Sequence, residues 1–566
     1  MALKPIFDKA PLTPFSCQPL RAGQVRMDHA ALKQLYAATV QSDRPTALEG
    51  AFRLACLVMA HPDQEPVAAR IRAALEAQRE DGSFADCMKN SIAILRAAWA
   101  LYEYEARKPI LEHIARWCGW ASSNWDALME DDDVWANPAD LLELLENLYR
   151  VTGKAAVLNL CERVSSQTMV WSSVLNTIAV QRPTNRSMTR DELQQGLARE
   201  NGDRNGFYTH FYRTNHPESL SDGARSVSAK GWYSGSATEF AATRTAWERL
   251  CRYHGTVSGA LTADELLEGT APAGAASNSA LGAWAEALCA AAMGENSAWA
   301  WDAIERMAYN ALPATIVNGQ VVEFQRANTL TEAAGIEDCF HVSADHAQRV
   351  IDRLSRGYTC VASSAVTARV DGMSVNLYLP GKYAVAVGES LIMLTIDRDA
   401  HQSTVQVHCK SDVKAALRLR IPDWSKNAEV AINGMDSDAG KDCKGGFMVL
   451  DRTWHDGDTI TVTLEQTVRV MDGHHQGKYL LKGPIVMAMP VVKGKAWNVS
   501  FVKEKVDGNQ VVAVLDTVAD WKRKGDVPAD LPVLPAASGD ALTETVLQPY
   551  AACPARIALF PWRKQA

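Results

Sequence analysis

The period of the apolar residues changes once along the chain, near residue 358, and that change limits the fold more than any single motif does. Before it, apolar side chains recur at three- and four-residue spacings, as on one face of a helix. DHAALKQLYAATV (28–40), TALEGAFRLACLVMA (46–60), EPVAARIRAALEAQ (65–78) and KNSIAILRAAWALYEYEA (89–106) read this way, with Pro, Asp or Gly punctuating the runs. NPADLLELLENLYRVTG and AAVLNLCERVSSQTMV pair across a Gly, and helical runs return after residue 237. Successive helix hairpins of this kind close into a toroid or stack into a solenoid, and no fixed repeat of the solenoid type is present.

After it, the period is two. VTARV, MSVNLYL, SLIMLTIDRD, STVQVHC and DTITVTLEQTVRVM alternate, with DG, NG and GD turns among them, which predicts antiparallel sandwich strands. The expected division is a helical domain over 1–360, a β-sandwich over 361–480 and further sandwich strands over 481–566, with the main boundary between 355 and 370. The stretch 185–240, containing NGDRNGFYTHFYRTNHPESLSDG and SAKGWYSGS, fits neither period and is expected to be largely a long loop system rich in polar and aromatic side chains.

A chain of 566 residues exceeds one ordinary core, so several domains are expected. The formal charge of −8 disfavours nucleic acid as a partner, since phosphate binding needs clustered Lys and Arg. No run is long and apolar enough for a membrane span, and the N-terminal residues lack a secretory pattern. The twelve cysteines are dispersed without a CxxC pair. Together these predict a cytoplasmic protein with reduced thiols and no membrane partner, and they leave room for a homodimer.

The order of QREDGSF (78–84), Thr209–His210, RYHGTVSGALTADELLEG (252–269), RMAYNALPA (306–314), VNLYLPG (375–381), LRLRIPDW (417–424), Asn433–Gly434 and WHDGDTITV (454–462) resembles glycoside hydrolase family 127 and its relatives, the β-L-arabinofuranosidase-like superfamily. The resemblance runs over nearly the whole chain. It implies an (α/α)6 barrel followed by antiparallel β-sandwich domains, and an enzyme that removes a small terminal sugar, β-L-arabinofuranoside-like, from an oligosaccharide or small glycoside. It also implies a Glu acid/base, a Cys nucleophile and a zinc held by one Glu and three Cys. ADELLEG puts Glu265 at the acid/base position. The segment that should carry a carboxylate and a thiolate ligand reads SNSA, leaving Asn278 and Ala280. The paired cysteines reduce to Cys339, with Asp338 beside it.

A zinc site needs about four deprotonated donors, which an amide and a methyl group do not supply. The expectation is therefore no metal and no cofactor, with Glu265 opposed by Asp338 or Cys339. A Cys without a metal or cationic neighbour stays mostly a neutral thiol, whereas a carboxylate in its place is ionised at neutral pH. His210, His341, Tyr208, Trp232, Tyr233 and Asn278 are expected to bind the substrate, since hydroxyls need aimed donors and acceptors and sugar faces stack on aromatic rings. Two other readings stand beside this one. The scaffold can carry an altered-specificity glycosidase or a polysaccharide lyase, or it can bind carbohydrate without turning it over.

Overall fold

A computed structural model of the chain describes residues 17–58, 64–295, 297–329, 344–399, 402–437, 443–444, 446–491, 499–517 and 542–560. Six helices close a ring in the order in which they occur: α2 (Pro45–Val58), α4 (Met88–Glu105), α6 (Ala139–Thr152), α9 (Pro217–Ser234), α11 (Asn278–Glu295) and α13 (Ala344–Ala365). An outer layer of α1 (Ala30–Val40), α3 (Glu65–Glu76), α5 (Lys108–Ser123), α7 (Ala155–Gln167), α10 (Ala237–His254) and α12 (Ala298–Arg306) packs against them. Another helix, α8 (Phe207–Asn215), precedes α9. This is the expected (α/α)6 barrel, with the inner helices parallel because each returns through an outer one.

Glycine allows the closest approach in the ring. A Cβ on Gly282 of α11 would meet the Arg353 carbonyl oxygen at 2.5 Å, and one on Gly357 of α13 would meet the Gly282 carbonyl oxygen at the same distance. The two backbones touch, so neither position has room for a side chain.

The inner helix α9 departs from the sequence expectation. The supposed loop system contains four helices: Thr184–Ser187, Arg190–Glu200, α8 and α9. A capping box starts the second, where Thr189 accepts from the Glu192 backbone N–H and Glu192 returns the bond. Helix α9 hid from the pattern because seven of its fifteen buried residues are polar: Glu218, Ser219, Ser221, Asp222, Arg225, Ser226 and Ser228 all lie inside. They face a polar barrel axis, so apolar periodicity was not required.

That axis is filled by ions. Arg225, with no exposed surface, donates to Glu143 Oε1 at 2.8 Å, Asp222 Oδ1 at 3.0 Å and Asp140 Oδ1 at 2.6 Å. Arg96 donates to Glu49 at 2.8 Å and Asp140 at 2.8 Å, and Arg356 reaches Asp140 at 2.7 Å and Glu286 at 2.8 Å. Guanidinium forks answer carboxylates from four helices, which makes their burial tolerable.

Strands follow the barrel as expected. β3–β6 are short strands that belong to the barrel's rim and are placed with the site below. One sandwich sheet runs β1 (Cys17–Pro19), β7 (Val366–Arg369), β8 (Gly372–Val375), β12 (Val413–Arg420) and β14 (Phe447–Trp454), and ends on Cys443–Lys444. The facing sheet begins at Met435–Asp436 and runs β13 (Ala428–Ile432), β15 (Thr459–Leu464), β11 (Gln402–Cys409), β10 (Ser390–Arg398), β9 (Gly381–Val387) and β2 (Val25–Arg26). Pairing is antiparallel except that β8 and β12 run parallel. Both sheets are completed by strands from the N-terminal end, so residues 17–26 are sandwich rather than barrel, a departure from the 1–360 division. A third sheet uses β16 (Val468–Asp472), β17 (Lys478–Lys482), β18 (Ile485–Pro490), β21 (Leu542–Pro549), β20 (Gln510–Thr517) and β19 (Val499–Asp507). The barrel and the first two sheets share one apolar core, in which Trp284, Trp301, Tyr383 and Trp454 are almost fully buried. Among the described residues no helix is long and apolar enough to cross a membrane.

Candidate active site

The ion network divides the barrel interior into two mouths. At the end where the inner helices begin lies a cavity of about 750 Å³, lined by Thr46 of α2, Asn90 of α4, Asp140 of α6, Glu218 and Asp222 of α9, and Arg349 and Arg353 of α13. Helix α8 adds Thr209, Tyr212 and Arg213. The opposite mouth holds a smaller cavity of about 180 Å³.

Beside the larger mouth, four short strands form a rim, three of them before α11 and one after α12. β3 (Ala263–Asp264) turns into β4 (Leu266–Leu267), and β5 (Ala276–Ser277) pairs with β6 (Phe324–Gln325). A Thr262–Ala276 bridge joins the two hairpins. Glu265 sits at the tip of the first hairpin in the left-handed region, at φ 67°. Strand alternation turns Asp264 and Glu268 to the same face.

Glu268 is a carboxyl of the rim fitted to hold a proton. Burial pushes it up to about 7 from an ordinary 4.5, and the charge of Asp264 adds to the effect. Among the described residues its side chain makes no hydrogen bond, so the acid proton is uncommitted. Its backbone is held on both sides. The Glu268 N–H donates to the Thr262 carbonyl at 3.0 Å, and the Gly269 N–H donates to His254 Nδ1 at 2.8 Å. His254 has no exposed surface, burial lowers it to about 4, and its Nε2 lies 2.7 Å from the Val180 carbonyl. The imidazole is thus neutral, accepting at Nδ1 and donating at Nε2, which this network assigns. Gly269 adopts φ +97°, and a Cβ there would meet Pro183 at 2.7 Å. Only glycine fits after Glu268.

A second proton is held nearby. Glu323 precedes β6, is 7% exposed, and is likewise raised to about 7, first by burial and then by Asp264. His346 Nε2 on α13 lies 2.5 Å from its Oε1. Burial lowers His346, so the pair shares a proton near neutral pH. Glu265 differs: it is 46% exposed, accepts from the Tyr212 hydroxyl at 2.9 Å, and lies 3.3 Å from Arg190 Nη2. Tyr212 stacks on His216, the N-cap of α9, with ring centroids 5.4 Å apart.

The residues expected from sequence fall in several places. Glu265 reaches the rim, where it accepts from Tyr212 and faces Arg190. Asp338, Cys339 and His341 lie outside the described residues. Tyr208 packs on Gly196, and its N–H donates to Glu200. His210 is exposed on α8. Trp232 and Tyr233 do not join this site. Trp232 lines the opposite mouth under the Arg150 guanidinium, and the Tyr233 hydroxyl meets Ser165 Oγ at 2.6 Å. They were misplaced because α9 was read as loop, whereas its C-terminal end lies a helix length away from the cavity. Asn278 is fully buried and already satisfied, donating to the Val322 carbonyl at 2.7 Å and accepting from Gln325 Nε2 at 2.6 Å. It holds the rim's second hairpin to α11 instead of facing a ligand. Glu268 went unnoticed although DELLEG contains it; two-residue alternation across the Glu265 turn was the available signal.

Residues 372–466 match the model of the β-L-arabinofuranosidase GH127 middle domain. The fold matches solved structures along nearly its whole length. A GH127 β-L-arabinofuranosidase from Geobacillus stearothermophilus T6 is 15% identical, with 94% of each chain covered and a TM-score of 0.65.

The chain shares its fold with solved GH127 structures, and residues 372–466 resemble their middle domain.

A solved glycoside hydrolase, 13% identical, covers 98% of this chain and is itself covered completely, with a TM-score of 0.71. A further GH127 β-arabinofuranosidase is also 13% identical, with a TM-score of 0.56 over 97% of this chain and 98% of its own. No curated protein matches the sequence. The zinc that the resemblance implies finds no donors at positions 278 and 280, where an occupied amide and a buried methyl stand. Among the described residues no three His, Cys, Asp or Glu side chains are grouped to hold an ion. The family-type donor set therefore does not fit this chain at those positions. All ten described cysteines are free thiols.

Proposed function

We propose that the chain is a glycoside hydrolase that removes a small terminal sugar, β-L-arabinofuranoside-like, from an oligosaccharide or small glycoside without the family's zinc. The observation that carries the reading is Glu268: a carboxyl raised to about 7, without a hydrogen-bond partner among the described residues, on the hairpin whose tip, Glu265, bonds Tyr212 of a cavity large enough for a sugar. Glycosidic cleavage needs a proton delivered to the leaving oxygen, and a carboxyl still protonated near neutral pH supplies it.

In this reading Asp264 keeps the proton on Glu268 between turnovers, and the Glu323–His346 pair holds a second proton beside it. Glu265, fixed by Tyr212 and Arg190, positions the hairpin tip or contacts a sugar hydroxyl. The opposing group, nucleophile or water activator, is assigned to Asp338 or Cys339, as the resemblance implies. The protein acts in the cytoplasm on imported glycosides.

The test is a panel of 4-nitrophenyl glycosides that includes the β-L-arabinofuranoside, followed by Glu268→Gln on whichever is cleaved. Loss of a positioned general acid costs about 10²–10⁴-fold in rate. The variant is expected to fall in that range, and the wild-type rate to decline as pH rises through about 7. Full turnover by E268Q would overturn the assignment. Glycoside binding with no turnover across the panel would favour the carbohydrate-binding alternative.

A further inference from the structure

The larger cavity contains two cations that feel its carboxylates Asp133 and Glu218 but close no ion pair with them among the described residues. Four of its other cations have carboxylate partners: Arg353 pairs with Asp222 at 2.7 Å, Arg356 with Asp140 at 2.7 Å, Arg96 with Glu49 at 2.8 Å, and Lys89 with Asp133 at 3.7 Å. Arg349 and Arg213 have no such partner among the described residues. Arg349 is exposed to the cavity and makes no hydrogen bond there. Arg213 is partly buried, with one weak bond to the Arg204 carbonyl at 3.4 Å and its guanidinium 5.2 Å from the Trp135 ring centroid. The cavity carboxylate left over does not serve them, because Asp352 accepts from Thr46 at 2.8 Å and from Gln348 at 2.9 Å.

Helical spacing makes this arrangement more than a stray surface charge. His346, Arg349 and Arg353 fall at intervals of three and four on α13, so one helix face carries the proton-sharing histidine, the free guanidinium and the ion-network guanidinium in succession. On α8, Thr209, Tyr212 and Arg213 all line the same cavity, and Tyr212 connects it to Glu265. The free cations are therefore continuous with the proposed reaction centre. Burial outweighs the attraction of Asp132 and Asp133 for Arg213, and a ligand anion would remove that cost.

We infer that the cavity receives an acidic sugar, a glycoside carrying a uronic acid whose carboxylate is bound by Arg349 and Arg213. A planar guanidinium presents paired N–H donors that match the two oxygens of a carboxylate, and a cavity of about 750 Å³ accommodates one or two sugar rings. Thr209, Ser219 and Asn90, also in the lining, offer neutral groups to the ring hydroxyls. The inference rests on the glycosidase reading for the chemistry at Glu268, but the anion site is separable from it by binding.

The experiment is calorimetric titration of the full chain at low salt with D-glucuronate and D-galacturonate against D-glucose, D-galactose and glucose 6-phosphate, repeated on Arg349→Met, Arg349→Lys and Arg213→Met. A charge-assisted bond to a carboxylate is worth about tenfold or more in affinity. At least one uronate is expected to bind about tenfold tighter than its neutral parent, with the preference lost in R349M and only partly restored in R349K, which keeps the charge without the fork. Added salt should weaken the uronate and leave the neutral sugars unchanged. Equal binding of uronate and neutral sugar, or a preference that survives R349M and R213M, overturns the anion site. Tighter binding of glucose 6-phosphate than of either uronate overturns the carboxylate. Uronate preference with no glycoside cleaved leaves the site standing and removes the hydrolase reading, as does an unsaturated product absorbing in the ultraviolet. Cleavage of neutral glycosides alone, without uronate preference, does the reverse.

Discussion

Replacing Glu268 by Gln should make the protein more stable as it makes it less active, and the gain should depend on pH. The carboxyl sits at about 7 in the folded chain against an ordinary 4.5. Below about 4.5 it is protonated folded and unfolded, so the amide changes little. Between the two values the unfolded chain releases the proton while the folded chain retains it, and wild-type stability falls as pH rises. Above about 7 the folded state carries the full cost of an ionised group that burial and Asp264 disfavour. An interval of this size corresponds to about 3 kcal/mol, and partial solvent access reduces the expected gain to about 2 kcal/mol at pH 8. The assay is thermal unfolding of wild type and E268Q from pH 4.5 to 8.5, read as a difference because a chain of several domains does not unfold in two states. A difference that is flat with pH, or an E268Q less stable than wild type at pH 8, would refute the account of why this carboxyl holds its proton.

Arg225→Met should destabilise the barrel by about 3 kcal/mol, since it takes one guanidinium from each of Asp140, Glu143 and Asp222 and leaves them to Arg96, Arg356 and Arg353; chemical denaturation reads the loss. His254→Ala leaves the Gly269 N–H and the Val180 carbonyl unpaired, at about 1–3 kcal/mol each, and should lower kcat as well by freeing the backbone at Glu268. His254→Asn, which keeps an acceptor for Gly269, should recover part of both losses. Trp232→Ala should cost about 3–5 kcal/mol in stability while leaving the KM of any cleaved glycoside unchanged, because the ring lines the mouth opposite the site.

The sequence alone determined the architecture: helices before residue 358 and strands after it, in the order that closes a barrel and then a sandwich. That was readable because amphipathic elements must each bury one face, and the period of the face betrays the element. It also located the ADELLEG hairpin and the loss of ligands at Asn278 and Ala280. Only the tertiary structure decided the surroundings of each ionisable group. Helix α9 is buried through Asp222 and Arg225 rather than through leucines, so no local period announced it. Glu265 and Glu268 stand three residues apart, yet one is solvated at a turn and the other is desolvated beside Asp264. Glu323 meets His346, and Arg349 comes within the field of Glu218, through contacts between segments distant in the chain. A proton's affinity for a carboxyl depends on what surrounds it in space, and a sequence records only what adjoins it along the chain.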